Sequence, residues 1–137
     1  MRKSARIFFG ATAAVLLAGS AGALTPAAAA GRVPTSAECH NKAHPPTNPA
    51  VIGGCIAISR KMGNCIACHA IAGAFEPGNI GPRLVNIHQR FPHRAKLRAL
   101  LWDPTVANPH TAMPPFGRNR ILTHKQINEV VDFLETL

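Results

Sequence analysis

The chain has 137 residues and carries fifteen Lys and Arg against six Asp and Glu, for a formal charge of +9. That length suits one small domain with a modest core of its own. Only 5% of the residues are aromatic and none form a platform among the cations, so stacking on nucleic-acid bases is excluded as the reason for the charge.

Arg2, Lys3 and Arg6 open the chain, an apolar run follows from Ile7 to Leu17, and small residues continue to Ala30. This three-part pattern predicts a secretory signal peptide over residues 1–30, cleaved near Ala30, with Ala28-Ala29-Ala30 ahead of Gly31. The apolar run is short against the roughly 20 residues of a bilayer span, so cleavage and a periplasmic product are expected, with no membrane insertion. Losing the three leading cations leaves twelve Lys and Arg against six acidic residues.

A Pro-rich arm is predicted over 31–49, with Pro45 and Pro46 breaking any helix. The main domain then runs over 50–137. Asn48-Pro49 reads as an N-cap followed by proline at the first helical position. A helix over Ala50–Lys61 follows, with Val51, Ile52, Cys55, Ile56, Ser59 and Met62 on one stripe. Gly53 and Gly54 weaken it intrinsically, which points to close approach of another helix. Gly63 ends it just before Cys65-Ile66-Ala67-Cys68-His69.

Two thiols at that spacing can each form a thioether to a haem vinyl group, and the histidine after the second falls under the iron as a ligand. A bare Cys-x-x-Cys would leave zinc or a redox disulfide open. The adjacent histidine and the lack of a second such pair argue for haem c, bound covalently through Cys65 and Cys68, with His69 as axial ligand. One porphyrin would supply much of the apolar mass of so small a core, so the apoprotein is expected to fold poorly.

Beyond the motif, Ile71–Pro82 reads as loop and Leu84–Gln89 as a short helical turn. Pro92 opens a helix over His93–Trp102 with Ala95, Leu97, Leu100 and Leu101 on its apolar side, and Asp103-Pro104 stops it. Another loop reaches Asn119. Thr123 and Gln126 then form a capping box for a helix carrying Ile127, Val130, Val131, Leu134 and Leu137. No alternating strand pattern occurs, so the fold class is all-α: about three to four helices packed around one covalently bound haem.

A low-spin carrier needs a second axial ligand. The candidates are Met62, Met113 and the six other histidines. Met62 is tied close to Cys65 and reads as core filler. Met113 lies in Thr111-Ala112-Met113-Pro114-Pro115-Phe116-Gly117, a loop stiffened by two prolines and far enough along the chain to reach the other haem face. It is the favoured ligand, with His110 of the same loop as runner-up. A methionine paired with histidine raises the reduction potential. The Pro82 carbonyl can accept from the His69 ring and fix its orientation.

Cys39 and Cys55 remain. Two leftover thiols in an oxidising compartment tend to bridge, which would pin the arm to the first helix; the alternative is one reactive sulfur-handling thiol. Arg83, Arg90, Arg94, Lys96 and Arg98 lie close together, readable as a solvated helix face with propionate partners or as a patch steering an acidic redox partner.

Gly81-Pro82-Arg83-Leu84 after the haem motif, the late methionine loop and the C-terminal amphipathic helix resemble the class I cytochrome c family. A narrower similarity is to the SoxX group, the monohaem subunits of bacterial thiosulfate-oxidising SoxAX cytochromes. It lies in Ser59–Asn64, Arg90–Arg98, Asn108–Gly117 and Ile121–Thr123. The resemblance implies His69 and Met113 as iron ligands and no catalytic residue on this chain. It also implies a SoxA-like haem subunit as partner, which joins thiosulfate to a cysteine of the carrier protein SoxY, and a diffusible cytochrome c as electron acceptor. A free soluble carrier serving a terminal oxidase is the alternative that the small basic domain leaves open.

Overall fold

The computed structural model describes residues 31–137; the expected signal segment lies outside the described residues. Five α-helices and two 3₁₀ turns occur there, with no strand among the described residues. They are α1 (Ser36–His40), α2 (Pro49–Ile58), α3 (Ile87–Arg90), α4 (Arg94–Trp102) and α5 (His124–Leu134), with the turns at Cys65–Ala67 and Pro104–Val106. The all-α expectation holds. The longer helices α2, α4 and α5 carry the architecture.

α5 starts where its capping box requires. Gln126 N donates to Thr123 Oγ1 at 3.3 Å, and Thr123 N donates to Gln126 Oε1 at 2.9 Å. Its inner face buries Ile127, Val130, Val131, Phe133 and Leu134, each worth roughly 1.5–3 kcal/mol when fully removed from water. α2 crosses this face with its smallest residues, Gly53, Gly54 and Ala57, inward beside Ile56. The expected stripe through Val51, Ile52, Cys55, Ser59 and Met62 is therefore only partly right: Ile56 is buried, and backbone-to-backbone approach takes the remaining places.

α4 lies along α5 with Leu97 and Leu101 buried. Two arginines clamp the pair. Arg94 reaches Asp132 at 2.7 Å and Glu135 at 2.5 Å, and Arg98 Nε donates to Asn128 Oδ1 at 2.8 Å. Ala95, expected on the apolar side, is exposed.

Two local readings need correction. The arm holds a helix, α1, despite its prolines, because Pro45 and Pro46 fall beyond it. Its capping box does the work: Glu38 N donates to Thr35 Oγ1 at 3.2 Å, and Thr35 N donates to Glu38 Oε2 at 2.6 Å. That bond and the Arg32 guanidinium hold the Glu38 carboxyl down at about 2. α2 in turn ends at Ile58 rather than Lys61, since Ser59 leaves the helical region (ψ 118°) and the chain turns back until Gly63 N donates to Ile56 O at 3.1 Å.

The arm is fastened to the domain at two points. Val33 is buried and its N–H donates to Ala72 O at 2.9 Å. A disulfide joins Cys39 of α1 to Cys55 of α2, with their Cα atoms 5.5 Å apart.

Candidate haem site

Asn64 takes a left-handed conformation (φ 46°) after α2, and the chain turns into the 3₁₀ segment Cys65–Ala67. This turn brings Cys65 and Cys68 to the mouth of a cavity as free, half-buried thiols. Burial pushes the Cys65 thiol up to about 11, so it stays protonated at neutral pH.

The loop Ile71–Pro82 wraps back over this turn. Gly78 N donates to Ile66 O at 2.7 Å and Gly81 N to Cys68 O at 2.8 Å. Gly81 lies directly against the His69 ring, where a Cβ would stand 2.6 Å from Nδ1 and 2.9 Å from Nε2. The ring's Nδ1 is 2.7 Å from the Pro82 carbonyl. A carbonyl oxygen only accepts, so Nδ1 carries the proton and Nε2 keeps its lone pair free for a metal.

The cavity holds about 430 Å³. Leu97, Leu100 and Leu101 of α4, Leu134 of α5 and Ile87 of α3 form its apolar wall. Thr111, Ala112, Met113, Pro114 and Phe116 close it from the opposite loop. That loop is stapled to the end of α4: Gly117 N and Arg118 N both donate to Trp102 O at 3.1 Å. Gly117 also lets the Trp102 ring approach so closely that a Cβ would lie 2.8 Å from Cζ3. Asp103 steadies the other flank through Thr105 and Arg118, and these contacts hold its carboxyl below its ordinary value.

Of the candidate second ligands, Met113 lines this cavity. Met62 lies in a separate groove beside the Cys39–Cys55 bridge, and His110 is exposed. His40, His44, His88, His93 and His124 are not part of the cavity wall. Among the described residues no three His, Cys, Asp or Glu side chains cluster to hold a bare metal ion.

The residues fit haem c. A flat apolar macrocycle suits the leucine wall, two thiols stand at one edge, and one imidazole nitrogen and one thioether sulfur are available to iron. The close packing of Gly81 on His69 was not anticipated from sequence, whereas Arg90, which lines the wall, belongs to the basic cluster readable there as propionate partners. A glycine two residues ahead of an extended Arg-Leu gave no sign that it faced an imidazole.

The basic cluster resolves into separate tasks. Arg94 and Arg98 are turned toward α5, and Arg90 Nη1 donates to Arg83 O at 3.0 Å. No helix among the described residues is long and apolar enough to cross a membrane.

Residues 59–137 match the family model for cytochrome c. A chain from the crystal structure of SoxXA from P. pantotrophus aligns with a TM-score of 0.57 and 30% sequence identity, covering 66% of this chain and 81% of that one. No curated protein matches significantly.

Proposed function

This chain belongs to the cytochrome c family, has the class I helical fold and is a SoxX-like electron-transfer cytochrome; from that premise we propose that it is the electron-accepting subunit of a periplasmic thiosulfate-oxidising complex. The observation that carries this reading is the gathering of two free thiols, one oriented imidazole and one thioether on a single apolar cavity. The 30% identity to a SoxXA chain narrows it from cytochromes in general.

In this reading Cys65 and Cys68 would hold haem c as thioethers, and His69 Nε2 and Met113 Sδ would be offered to its iron. When bound, haem c supplies a one-electron couple. His69 is aimed by the Pro82 carbonyl, which also makes the imidazole a stronger donor. The leucine wall excludes water and so favours the less charged, reduced state. With His69 and Met113 both engaged by the group, no open position would remain for oxygen or peroxide, and in this reading no residue on the chain is catalytic.

Bond-making belongs to a SoxA-like haem subunit. There a carrier cysteine thiol, as on SoxY, joins thiosulfate through a new sulfur–sulfur bond, releasing two electrons and one proton. The electrons pass singly through this chain to a diffusible cytochrome c.

The test is reduction by thiosulfate. Haem-loaded protein alone stays oxidised, and addition of the SoxA-like subunit with its thiol carrier turns it reduced. A chain that isolates without any larger haem subunit, and stays oxidised with all components present, is instead a free carrier. Extraction with acidic butanone checks the haem itself, since pigment entering the organic layer would rule out the thioether bonds.

A further inference from the structure

His124 opens α5 outside the haem cavity, yet it is tied to the loop that carries Met113. Its Nδ1 lies 2.9 Å from Arg98 Nη2. Its ring packs on that of Trp102 with the centroids 4.4 Å apart, and the Arg98 guanidinium carbon sits 5.6 Å from the centre of the same indole. Arg98, His124 and Trp102 thus form one contact cluster between α4 and α5.

A guanidinium has donors only, so Arg98 donates and Nδ1 accepts. The bond exists only while that nitrogen carries no proton. Uptake of a proton from solvent, to which His124 is exposed, sets N–H against N–H and places two like charges on one indole. Arg98 is not free to swing away, because Asn128 Oδ1 holds its Nε at 2.8 Å. The surrounding elements supply no counter-ion. Arg94 of α4 takes Asp132 and Glu135, Asp103 after α4 takes Arg118, and Lys125 of α5 takes Glu129; none of these carboxylates bridges to His124. Arg120, in the turn before α5, adds a further positive charge.

Movement of the indole reaches Met113 by a short route. Gly117 is buried against the ring, where a Cβ would lie 2.8 Å from Cζ3, and Gly117 N and Arg118 N both donate to Trp102 O at 3.1 Å. Phe116 O accepts from Ile121 N at 2.9 Å and from Leu122 N at 3.0 Å, which closes the loop onto the start of α5. Pro114 and Pro115 stand between Met113 and Phe116, and their fixed φ leaves little slack to absorb a shift.

We propose that Arg98, His124 and Trp102 act as a proton-sensitive brace that positions the Met113 loop, firm while His124 is neutral and loosened when it takes up a proton. The proposal rests on the haem reading above, with Met113 as iron ligand. None of the three lines the cavity, so each acts on the iron only through the loop. The brace is intact on the alkaline side of the range in which imidazoles titrate and fails as pH falls through it, from about 8 to about 5.

The experiment follows the near-infrared band of sulfur ligation in the oxidised, haem-loaded chain over that range. Beside it is followed the indole N–H resonance of Trp102, the only tryptophan. Wild type is expected to lose band intensity in a one-proton step as pH falls, with the indole resonance shifting at the same midpoint. His124→Gln keeps an acceptor for Arg98, and His124→Phe keeps a ring on the indole, but neither side chain titrates. Both variants are expected to give flat profiles. His88→Gln, which changes an exposed histidine of α3, is expected to keep the wild-type step.

A wild-type band that stays constant across the range overturns the proposal, whether or not the indole resonance moves. So does a step that survives in both His124 variants, or one that His88→Gln removes as completely, which would mark a general charge effect. Failure of the haem reading looks different: covalently held pigment, or the band itself, is missing at every pH, and the indole step alone then decides whether the brace exists.

Discussion

Gly53 of α2 and Glu129 of α5 meet backbone to backbone. A Cβ at Gly53 would overlap the Glu129 carbonyl and lie 2.8 Å from Val130 N. Intrinsic helix propensity favours alanine over glycine by about 1 kcal/mol. Overpacking against a rigid neighbour costs about 1–3 kcal/mol and sometimes more, so here it wins.

Gly53→Ala is accordingly expected to lower the thermal midpoint of the haem-loaded protein by several degrees, in scanning calorimetry. Gly54→Ala should cost less. Its Cβ would meet the Pro34 ring at 2.5 Å and Phe133 Cδ2 at 3.1 Å, side-chain atoms that yield more readily than the α5 backbone facing Gly53. A Gly53→Ala midpoint at or above that of wild type would mean the two helices have room to separate.

The Cys39–Cys55 bridge spans a sequence separation of 16. Closing a loop of that size is worth about 3 kcal/mol in the chain-entropy account. The double variant Cys39→Ser/Cys55→Ser should unfold at a lower temperature with its haem spectrum intact, because neither cysteine lines the haem cavity. A changed haem spectrum would instead favour a redox part for one of these sulfurs.

Much of this architecture is legible where one short stretch of sequence carries the whole cause. The α5 boundary follows from Thr123 and Gln126, and its buried face follows from hydrophobic spacing. α1 is local too, since Thr35 and Glu38 make the same capping box, but it buries no side chain and so lacks the apolar spacing that flags a helix. The buried face of α2 is less legible because glycine has no side chain to show which way it points. The basic residues are the least legible: Arg94 and Arg98 find partners in α5 and in Glu135 just after it, 26 to 41 positions along the chain, and no local pattern announces such pairings.

Gly81 gives a direct handle on the imidazole. A methyl group there would overlap His69 Cε1 and crowd Nδ1, the atom bonded to the Pro82 carbonyl. Gly81→Ala should tilt the ring and weaken that hydrogen bond. The expected readout is a lower yield of haem-loaded protein and an altered low-spin spectrum. A spectrum and yield equal to wild type would show that the ring has freedom the packing denies it.

Met113 and His110 share one loop but differ in placement, since Met113 lines the cavity while His110 is exposed. Met113→Ala is expected to abolish the near-infrared band of sulfur ligation in the oxidised protein and to lower the potential, because a thioether ligand raises it. His110→Ala should change neither. If Met113→Ala keeps the band, the sixth ligand lies elsewhere and the iron centre has been misassigned.

Acid should loosen the arm through Glu38. Its folded-state value, about 2, lies below the ordinary 4.5, chiefly because it accepts from the Thr35 N–H and secondarily because of Arg32. A depressed carboxylate stabilises the fold fully above its unfolded value, and that contribution fades as pH falls from about 4.5 through about 2. The pair with Arg32 is largely solvent-exposed, so its worth is at most about 1 kcal/mol. Glu38→Gln keeps an acceptor for the Thr35 N–H but removes the charge and the titration. Wild type should therefore melt slightly above the variant at pH 6, with the two converging as the pH approaches 2. The difference between the two proteins isolates Glu38 from every other acid-titrating group. A gap that stays constant between pH 6 and 2 would mean that the Thr35 and Arg32 contacts do not favour the ionised carboxyl.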